Sequence, residues 1–391
     1  MFGINVTEYD KFIYEEYLRD FLPDRMIDIH VHIWKEGMER AGDESKNRKG
    51  MVDWTKLVAP DCSIEDLMKS YEQMFPGKSV KPVLMGWPSC DLDKVNRYAI
   101  DCAKSYGLPA FYCTSWDTPA EDIRKALTED GFSGIKPYLN NSPSYIPAAE
   151  VRIFDFLPHE HLKLCDELGA KVMLHIPRAL RLRDPVNLAQ MLEIEEKYQN
   201  AKVIIAHIGR AYCPEDFGDA FERLSKTKNL LFDFTANTLD RAMVEIIKAV
   251  GPERVMFGSD MPITKMRMYR IVEDGHYINV VPRGLYGDVS YDRNMRETDE
   301  TKITTFMYEE LLAFKRAAEE LHLGRRGGVA SGGQERDVRF GTFRHDGPDT
   351  VGISFRESRL RQGPRDPQHD VVVGLEAARR NGHLVAGGER P

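Results

Sequence analysis

Short apolar runs alternate with longer amphipathic stretches along most of the chain, and this rhythm constrains its fold more than any other feature. The apolar runs are rich in β-branched and aromatic residues, as buried strands are, and the stretches between them have helical spacing. Eight such runs predict eight strands, at residues 26–34, 80–87, 109–116, 131–139, 170–177, 201–209, 229–235 and 253–260. Eight parallel strands with helical crossovers predict an α/β fold, a (β/α)8 TIM barrel rather than an open sheet.

The segments around these strands predict the rest of the barrel. Residues 92–107 and 156–169 are expected to be helices, because each is amphipathic and ends in Gly. Residues 26–324 are expected to form the barrel. Residues 35–63 and 261–300 are expected to be long loops at its mouth, where barrel enzymes keep their active sites.

Two further segments lie outside the barrel pattern. Residues 1–25 contain an amphipathic stretch at 7–22, with Phe12 and Tyr17 among its apolar residues, which we expect to be a helix packed on the barrel. Residues 325–391 hold twelve Arg, twelve Gly and no Lys, Trp or Tyr. Such a segment has little material for a core, so we expect a disordered or non-native tail, with a small extra module as the alternative.

Composition narrows the class of protein. The chain has 391 residues, 42% hydrophobic and 30% charged, which is the balance of a globular protein. A net charge of −8 gives no basic surface for nucleic acid, and we find no apolar run long enough for a bilayer. Six scattered cysteines without a Cys-x-x-Cys pair, and no basic-then-apolar start, predict a cytoplasmic protein with reduced thiols.

The first predicted strand carries His30-Val31-His32 near its end. Alternate side chains of a strand share one face, so we expect both imidazoles to point into the barrel mouth. Two adjacent neutral imidazoles suit Zn²⁺ or a similar ion.

Three more residues of metal-binding type end other predicted strands. His175 ends the fifth strand, His207 the sixth and Asp260 the eighth. Each alone has an ordinary alternative, a hydrogen-bonded histidine or a helix cap. Because a barrel brings all strand ends around one axis, their coincidence favours a metal site.

Five motifs, DIHVHIW, GIKPYL, VMLHIPR, IIAHIGR and FGSDMPI, occur in the order of the amidohydrolase superfamily, which the chain resembles over about residues 25–320. It resembles most the amidohydrolase-related branch, which holds aminocarboxymuconate semialdehyde decarboxylase, resorcylate-type decarboxylases and lactone hydrolases. The resemblance implies that one divalent metal, Zn²⁺ or alternatively Mn²⁺, is bound by His30, His32, His175 and Asp260. It also implies that His207 is a nearby catalytic acid/base or polarising group. Asp260 can be a ligand and still accept the proton of a water.

Lys136, in the motif GIKPYL, has two interpretations. Two-metal relatives use a carboxylated lysine at the end of strand 4 as a bridging ligand, with His207 on the second metal. In one-metal enzymes the lysine supplies positive charge to the substrate or to an ion pair. We favour one metal.

Residues at the rim suggest the substrate. Arg178 and Arg210 each follow a candidate histidine by three positions, and Tyr212 lies just beyond. Arginine binds carboxylate as a bidentate fork, so these cations favour a substrate that carries a carboxylate; the alternative is pairing with loop Asp or Glu. Trp34, which ends the first strand, is expected to wall the pocket or to pack under a loop.

These residues lead to three hypotheses for function. The first is a metal-dependent hydrolase that uses a metal-activated water on a lactone, amide or similar bond of a small carboxylate. The second is non-oxidative decarboxylation of an unsaturated or aromatic acid at the same site. The third is a non-catalytic binding protein, which the intact ligand set argues against. The expected partner is a small molecule and neither nucleic acid nor membrane, with a homodimer left open.

Overall fold

The computed structural model describes residues 3–40 and 55–323, and beyond them two short strands at 336–340 and 353–357. The eight predicted runs each contain or overlap one strand of a central parallel sheet. These strands are β1 Arg25–His32, β2 Ser79–Met85, β3 Phe111–Thr114, β4 Gly134–Pro137, β5 Lys171–Leu174, β6 Lys202–Ile205, β7 Leu231–Asp233 and β8 Val255–Met256.

The strands close into a barrel in chain order. Strands β3 to β8 pair side by side, and β1 pairs with β2. A parallel bridge between Leu84 and Ala110 joins β2 to β3, and another between Val31 and Met261 joins β1 to the segment after β8. The predicted TIM barrel is therefore confirmed.

Helices connect the strands and cover the sheet. They are α1 Glu8–Ile13, α2 Thr55–Val58, α3 Ile64–Met74, α4 Leu92–Tyr106, α5 Ala120–Lys125, α6 His159–Leu168, α7 Pro185–Lys197, α8 Ala220–Leu224, α9 Asp240–Val250 and α10 Phe306–Glu320. Local sequence fixes α4 at both ends, because the Asp91 side chain accepts from the Lys94 backbone N–H and Gly107 ends the helix at φ 64°. The helices predicted at 92–107 and 156–169 are confirmed as α4 and α6. Within the described residues, no helix has the length and apolar character needed to cross a membrane.

The N-terminal helix α1 continues as a π-helical turn, Tyr14–Leu18, and packs beside α10. Tyr14 stacks on Tyr308 of α10, with ring centroids 6.2 Å apart. The apolar residues Phe12 and Tyr17 are exposed, and the helix instead buries Ile13, Tyr14 and Leu18. Ile13 and Phe21 of the same predicted apolar set pack on the core, while the π turn changes the spacing of the side chains that follow it.

Two apolar layers lie on either side of the barrel wall. The larger one fills the space between the strands and the outer helices. The smaller one fills the barrel interior and includes Ile27, Ile29, Val83, Met85, Phe111, Met173, Ile204, Leu231 and Met256. The interior is therefore a packed core, and only the mouth above it has room for polar side chains.

The segment after β8, predicted as a loop at 261–300, contains a small sheet of its own. Its strands are β9 Tyr269–Glu273, β10 His276–Pro282 and β11 Met295–Thr298, in the order β11-β10-β9. Asp274 and Gly275 join β9 to β10 with φ angles of 48° and 73°, the conformation that favours Asp-Gly in two-residue hairpin turns. The loop prediction was wrong, because this Asp-Gly signal between apolar runs was overlooked.

Apolar side chains attach the small sheet to the barrel mouth. Met268, Val281 and Met295 form a cluster with Ala236 and with Phe306 of α10. The sheet therefore forms a cover over the ends of the later strands.

Within the predicted tail, two strands are described, β12 Arg336–Phe340 and β13 Ile353–Glu357, which pair antiparallel. The other residues of 325–391 lie outside the described part, as do 41–54 of the segment after β1. The assignment of 325–391 as a disordered or non-native tail stays a prediction.

Candidate metal centre

His30 and His32 reach the barrel mouth because β1 contains an irregularity. The pairing of β1 with β2 shifts register between Asp28 and Val31. Ile27, before the shift, and Ile29, within it, face the interior core. The shift lets His30 and His32 both face inward after it, in the way that bulges re-aim side chains near active sites.

Asp260 meets these two histidines from the segment after β8. Its Oδ1 atom lies 3.1 Å from His32 Nε2 and 3.8 Å from His30 Nε2. The donor atoms of the three side chains all lie within 4.8 Å of one another. The set is buried, except that the Asp260 side chain keeps 17% of its surface exposed. This is a compact group of two imidazoles and one carboxylate that remains open on one side.

Hydrogen bonds on the far side of each ring orient the two histidines. His32 Nδ1 donates to the Gly86 carbonyl oxygen at 3.0 Å, and His30 Nδ1 lies 3.0 Å from Asp233 Oδ2. A ring whose Nδ1 carries the proton presents an unprotonated Nε2. Both Nε2 atoms therefore face Asp260 as lone-pair donors, the arrangement that ligating histidines show in metalloproteins.

His207 lies next to His30, and His175 lies next to His207. The His207 ring centroid lies 5.0 Å from that of His30 and 5.2 Å from that of His175. His207 Nδ1 donates to the Thr235 carbonyl oxygen at 2.9 Å, which leaves Nε2 free to exchange a proton. His175 Nδ1 is buried without a hydrogen-bond partner among the described residues.

Asp233, at the end of β7, organises the centre and was missed in the sequence. Its Oδ1 accepts from the His207 backbone N–H at 2.6 Å and the Thr235 backbone N–H at 3.2 Å. Its Oδ2 accepts from His30 Nδ1. Three N–H groups thus use both oxygens, so Asp233 holds the histidines in place. The available signal was its position, a lone carboxylate that ends an apolar strand.

The backbone is strained around the centre. Residues 207–210 form a turn in which His207, Ile208, Gly209 and Arg210 have φ angles of 59°, 50°, 60° and 61°. Asp260 has a φ of 57°. A left-handed conformation costs about 1–2 kcal/mol for each residue other than glycine. Strain of this kind concentrates at functional sites, where surrounding contacts hold it.

The electrostatics of the centre keep His30, His175 and His207 neutral and Asp260 ionised. Burial lowers the pKa of His30 well below its usual value, and the charge of Lys136 adds to this effect. Burial opposes ionisation of Asp260, but the contact with His32 and the nearby His207 outweigh it and lower its pKa to about 2. Neutral imidazoles and a carboxylate are the forms that bind a divalent cation.

Lys136 lies inside the centre. It is buried, with Nζ 3.3 Å from His30 Nε2. Burial lowers its pKa to about 8, although the charges of Asp233 and Asp260 oppose the effect. Lys136 therefore lies beside the proposed ligand atoms. Among the described residues it forms no ion pair with a carboxylate.

Trp34 does not wall the cavity. It is buried, donates from Nε1 to the Pro60 carbonyl oxygen, and stacks on Trp87 with ring centroids 4.9 Å apart. Trp87 is the ring that reaches the centre, 5.3 Å from the His32 ring in an edge-on arrangement. The assignment of Trp34 to the substrate is therefore corrected, and its alternative, packing under a loop, holds.

The two predicted carboxylate-binding arginines have different surroundings. Arg178 Nε donates to both oxygens of Asp184, at 3.1 Å each, so its charge is already paired, as the alternative interpretation predicts. Arg210 has no carboxylate partner among the described residues, and its Nη1 donates to the carbonyl oxygens of residues 176–178. Tyr212 packs edge-on against Tyr277 of β10, with ring centroids 5.2 Å apart. The structure thus keeps Arg210 and Tyr212 as candidates.

A divalent metal fits the residues of this centre. The donor set of imidazole nitrogens and one carboxylate suits Zn²⁺ and Mn²⁺. The unpartnered Nδ1 of His175 is a buried polar atom for which the described residues supply no partner. Asp233, by contrast, has both oxygens occupied by N–H groups, so we assign it to orientation and not to the metal.

Comparison with known proteins gives a family. A model described as "Amidohydrolase" matches residues 27–274, which is more than half of the 391 residues. The chain belongs to the amidohydrolase family. The match covers β2 to β8, all but the first two residues of β1, and every residue of the centre described above. As a member of this family, the chain is an enzyme. No curated protein matches it.

Solved structures also resemble this amidohydrolase, at low identity. One is a probable 2-pyrone-4,6-dicarboxylic acid hydrolase from Acinetobacter baumannii, solved with citric acid, at 15% identity and a TM-score of 0.46, covering 76% of this chain and 93% of that one. Another is an amidohydrolase from Burkholderia multivorans with bound zinc, at 13% identity and a TM-score of 0.47, covering 75% of this chain and 92% of that one. A third is a dihydroxybenzoic acid decarboxylase from Polaromonas sp. JS666 with bound manganese and 2-nitroresorcinol. Its identity to this chain is 14% and its TM-score 0.42, and the likeness covers 62% of this chain and 87% of that one.

Proposed function

We propose that this amidohydrolase is a metal-dependent hydrolase of the amidohydrolase-related branch, acting on a lactone, amide or similar bond of a small carboxylated molecule. The observation that carries the proposal is the group of His30, His32 and Asp260, whose donor atoms lie within 4.8 Å of one another. His175 completes the proposed ligand set. When bound, one Zn²⁺, or alternatively Mn²⁺, supplies Lewis acidity and lowers the pKa of a water to about 7.

Asp260 is both a proposed ligand and a proton acceptor. Its Oδ1 faces the two Nε2 atoms of His30 and His32, while its Oδ2 has no partner among the described residues. Because Asp260 is ionised, Oδ2 is available to accept the proton of the attacking water. The Asp260 side chain is 17% exposed, so water can reach it.

His207 is the proposed acid/base group for the leaving group. Its Nδ1–H is held by the Thr235 carbonyl oxygen, and its backbone N–H by Asp233. The ring is therefore held with Nε2 unprotonated, and we propose that Nε2 takes over the proton that Asp260 accepts from the water and donates it to the departing oxygen or nitrogen. Lys136, Arg210 and Tyr212 are the side chains we propose to contact the substrate.

One observation favours decarboxylation as the second candidate. The buried Lys136 amine lies 3.3 Å from His30 Nε2, which puts a second proton donor beside His207 in the centre. Protonation of carbon as CO₂ leaves requires such a donor. The two candidates share the same metal-binding residues and differ in the bond that breaks.

A product assay distinguishes the candidates. Zinc-loaded and manganese-loaded protein are incubated with a panel of lactones, amides and unsaturated or aromatic acids, and both acid release and CO₂ are measured. Hydrolysis predicts acid release without CO₂, and His207→Asn controls for contaminating activity. CO₂ release would replace the first candidate by the second, and metal-loaded protein without turnover of any compound would contradict both.

A further inference from the structure

A cavity lies outside the metal centre, between the beginnings of α5 and α6. Its volume is about 460 Å³, within the range of about 300–1,000 Å³ that small-molecule sites occupy. Its walls are residues 116–121, from the loop after β3 and the start of α5, together with Pro158, Glu160 and His161 at the start of α6. We call it the Trp116 cavity. None of these residues belongs to the metal centre, so the cavity offers a separate place for a ligand.

Contacts between α5 and α6 fix the walls of the Trp116 cavity. His161 Nε2 of α6 donates to the Thr118 carbonyl oxygen of the opposite wall at 2.7 Å. Beside the cavity, the Arg124 guanidinium of α5 donates to both carboxylate oxygens of Glu167 of α6, at 3.0 and 2.9 Å. Both walls are thus held in place without a ligand, and a preformed site loses less entropy when a ligand binds.

His161 brings an unused hydrogen-bond acceptor to this cavity. Its side chain is buried, with 2% of the residue exposed, and its Nδ1 has no hydrogen-bond partner among the described residues. Because Nε2 carries the proton that is donated to Thr118, Nδ1 presents a lone pair. Burial lowers the pKa of His161, which keeps the ring neutral. A buried acceptor without a donor is destabilising, so this nitrogen favours a ligand that brings an N–H group.

The charge of the lining favours a cation. Asp117, Glu121 and Glu160 line the cavity, and its lining contains no Lys or Arg. Glu121 lies 3.9 Å from Arg124 Nε, whereas Asp117 and Glu160 have no ion pair in the described part of the chain. The starts of two helices contribute roughly half a positive charge each, which three carboxylates exceed. The cavity is therefore negative.

Trp116 supplies an aromatic face at the same place. It is 42% exposed, although most large apolar side chains of the barrel are buried. Its backbone N–H donates to the Asn141 carbonyl oxygen at 3.2 Å, which anchors the residue. An indole face beside carboxylates is a combination that binds organic cations, because the ring quadrupole attracts positive charge.

We propose that the Trp116 cavity binds a small organic molecule through a primary ammonium group, with Asp117 and Glu160 as its counter-charges, Trp116 as its aromatic contact and His161 Nδ1 as a hydrogen-bond acceptor. A metal ion fits less well. Among the described residues, groups of three His, Cys, Asp or Glu donor atoms within 4.8 Å of one another occur at the metal centre and not in this cavity. The site is independent of the reaction proposed for the metal centre.

The test compares ligands of one chain length on zinc-loaded protein. Dissociation constants of n-butylamine, N,N,N-trimethylbutylammonium, 1-butanol and butyrate are measured by ligand-observed NMR titration. We expect n-butylamine to bind about threefold to thirtyfold more tightly than 1-butanol, the combined scale of a cation–π contact and an exposed ion pair. Butyrate should bind more weakly than either, because its charge has the wrong sign.

Variants of the lining should reduce this preference. Glu160→Gln and Trp116→Ala change exposed side chains and should each weaken binding of both ammonium ions. Their matched controls are Glu193→Gln on α7 and Tyr106→Ala on α4, where Tyr106 is 44% exposed, and both should bind like the wild type.

His161→Gln tests the acceptor separately. The Gln side chain keeps an N–H donor for the Thr118 carbonyl oxygen but has no counterpart of Nδ1. It should weaken n-butylamine binding by about twofold to tenfold, the scale of one hydrogen bond, and leave trimethylbutylammonium, which has no N–H group, unchanged. Equal weakening of both ions would contradict the role of His161.

Other results would overturn the site itself. These are equal affinity for n-butylamine and 1-butanol in the wild type, tighter binding of butyrate, and an amine preference that persists when Glu160→Gln and Trp116→Ala are combined. Loss of amine binding on removal of zinc would place the amine at the metal centre. A second zinc ion per chain that Glu160→Gln removes would replace the amine by a metal ion.

Discussion

Replacement of Asp233 by asparagine tests how the metal centre is organised. Three N–H groups, from His207, Thr235 and His30 Nδ1, converge on the two oxygens of Asp233. Asn has one oxygen, so in either amide orientation at least one of these groups faces the amide NH₂. If that group is His30 Nδ1, the ring must move its proton to Nε2, which can then no longer bind a metal.

The expected loss follows from the role of such orienting carboxylates. Removing a hydrogen-bond partner of a ligating histidine lowers metal affinity by about 10–100-fold, equivalent to about 1.4–2.7 kcal/mol. We therefore expect Asp233→Asn to weaken Zn²⁺ binding by this factor, measured by competition with a chelating dye. Asp10→Asn is the control, because Asp10 is also buried and accepts several hydrogen bonds, but on α1, where it pairs with Arg267. Wild-type zinc affinity in Asp233→Asn would refute the orienting role.

Three other predictions concern His207, the buried Glu310 and the cysteines. His207→Asn should keep its metal while turnover falls by about 10²–10⁴-fold, and a parallel loss of metal would make His207 a ligand. Burial raises the pKa of Glu310 well above its usual 4.5, so its contribution to the folded state declines as pH rises above 4.5. The free energy of unfolding of Glu310→Gln in urea, relative to that of the wild type, should increase with pH by up to ~1.4 kcal/mol per pH unit. A difference between the two proteins that stays constant with pH would be inconsistent with this. All six cysteines are buried, and burial raises the pKa of Cys62 and Cys113 to about 12, so a thiol reagent at pH 8 should modify none before unfolding and six after it.

Patterns that depend on one strand could be predicted from the sequence. The eight apolar runs identified the eight strands, since burial on both faces leaves a continuous apolar signature. The shared face of His30 and His32 followed from strand alternation, and closure of the barrel explains why Asp260 meets them. The bulge between Asp28 and Val31 could not be predicted, because the pairing register depends on both strands.

Side chains whose roles depend on distant partners were harder to assign. Arg178 and Arg210 have equivalent positions after their histidines, yet only Arg178 finds a carboxylate, Asp184, in its own loop. Arg270 lies on a hairpin, and its approach to Tyr212 depends on how the covering sheet folds over the mouth. Trp34 and Trp87 each lie two residues past the end of a strand, and packing decides which of them reaches His32. Sequence position gives the set of candidates, whereas packing selects among them.

Metal content per chain tests the central claim most directly. The protein is loaded with Zn²⁺, freed of excess ion and analysed by mass spectrometry, beside the double variant His30→Ala with His32→Ala and the exposed-site control His276→Ala. The ligand set predicts about one ion per chain in the wild type and the control, and none in the double variant. Full zinc retention in the double variant would contradict the metal centre proposed here.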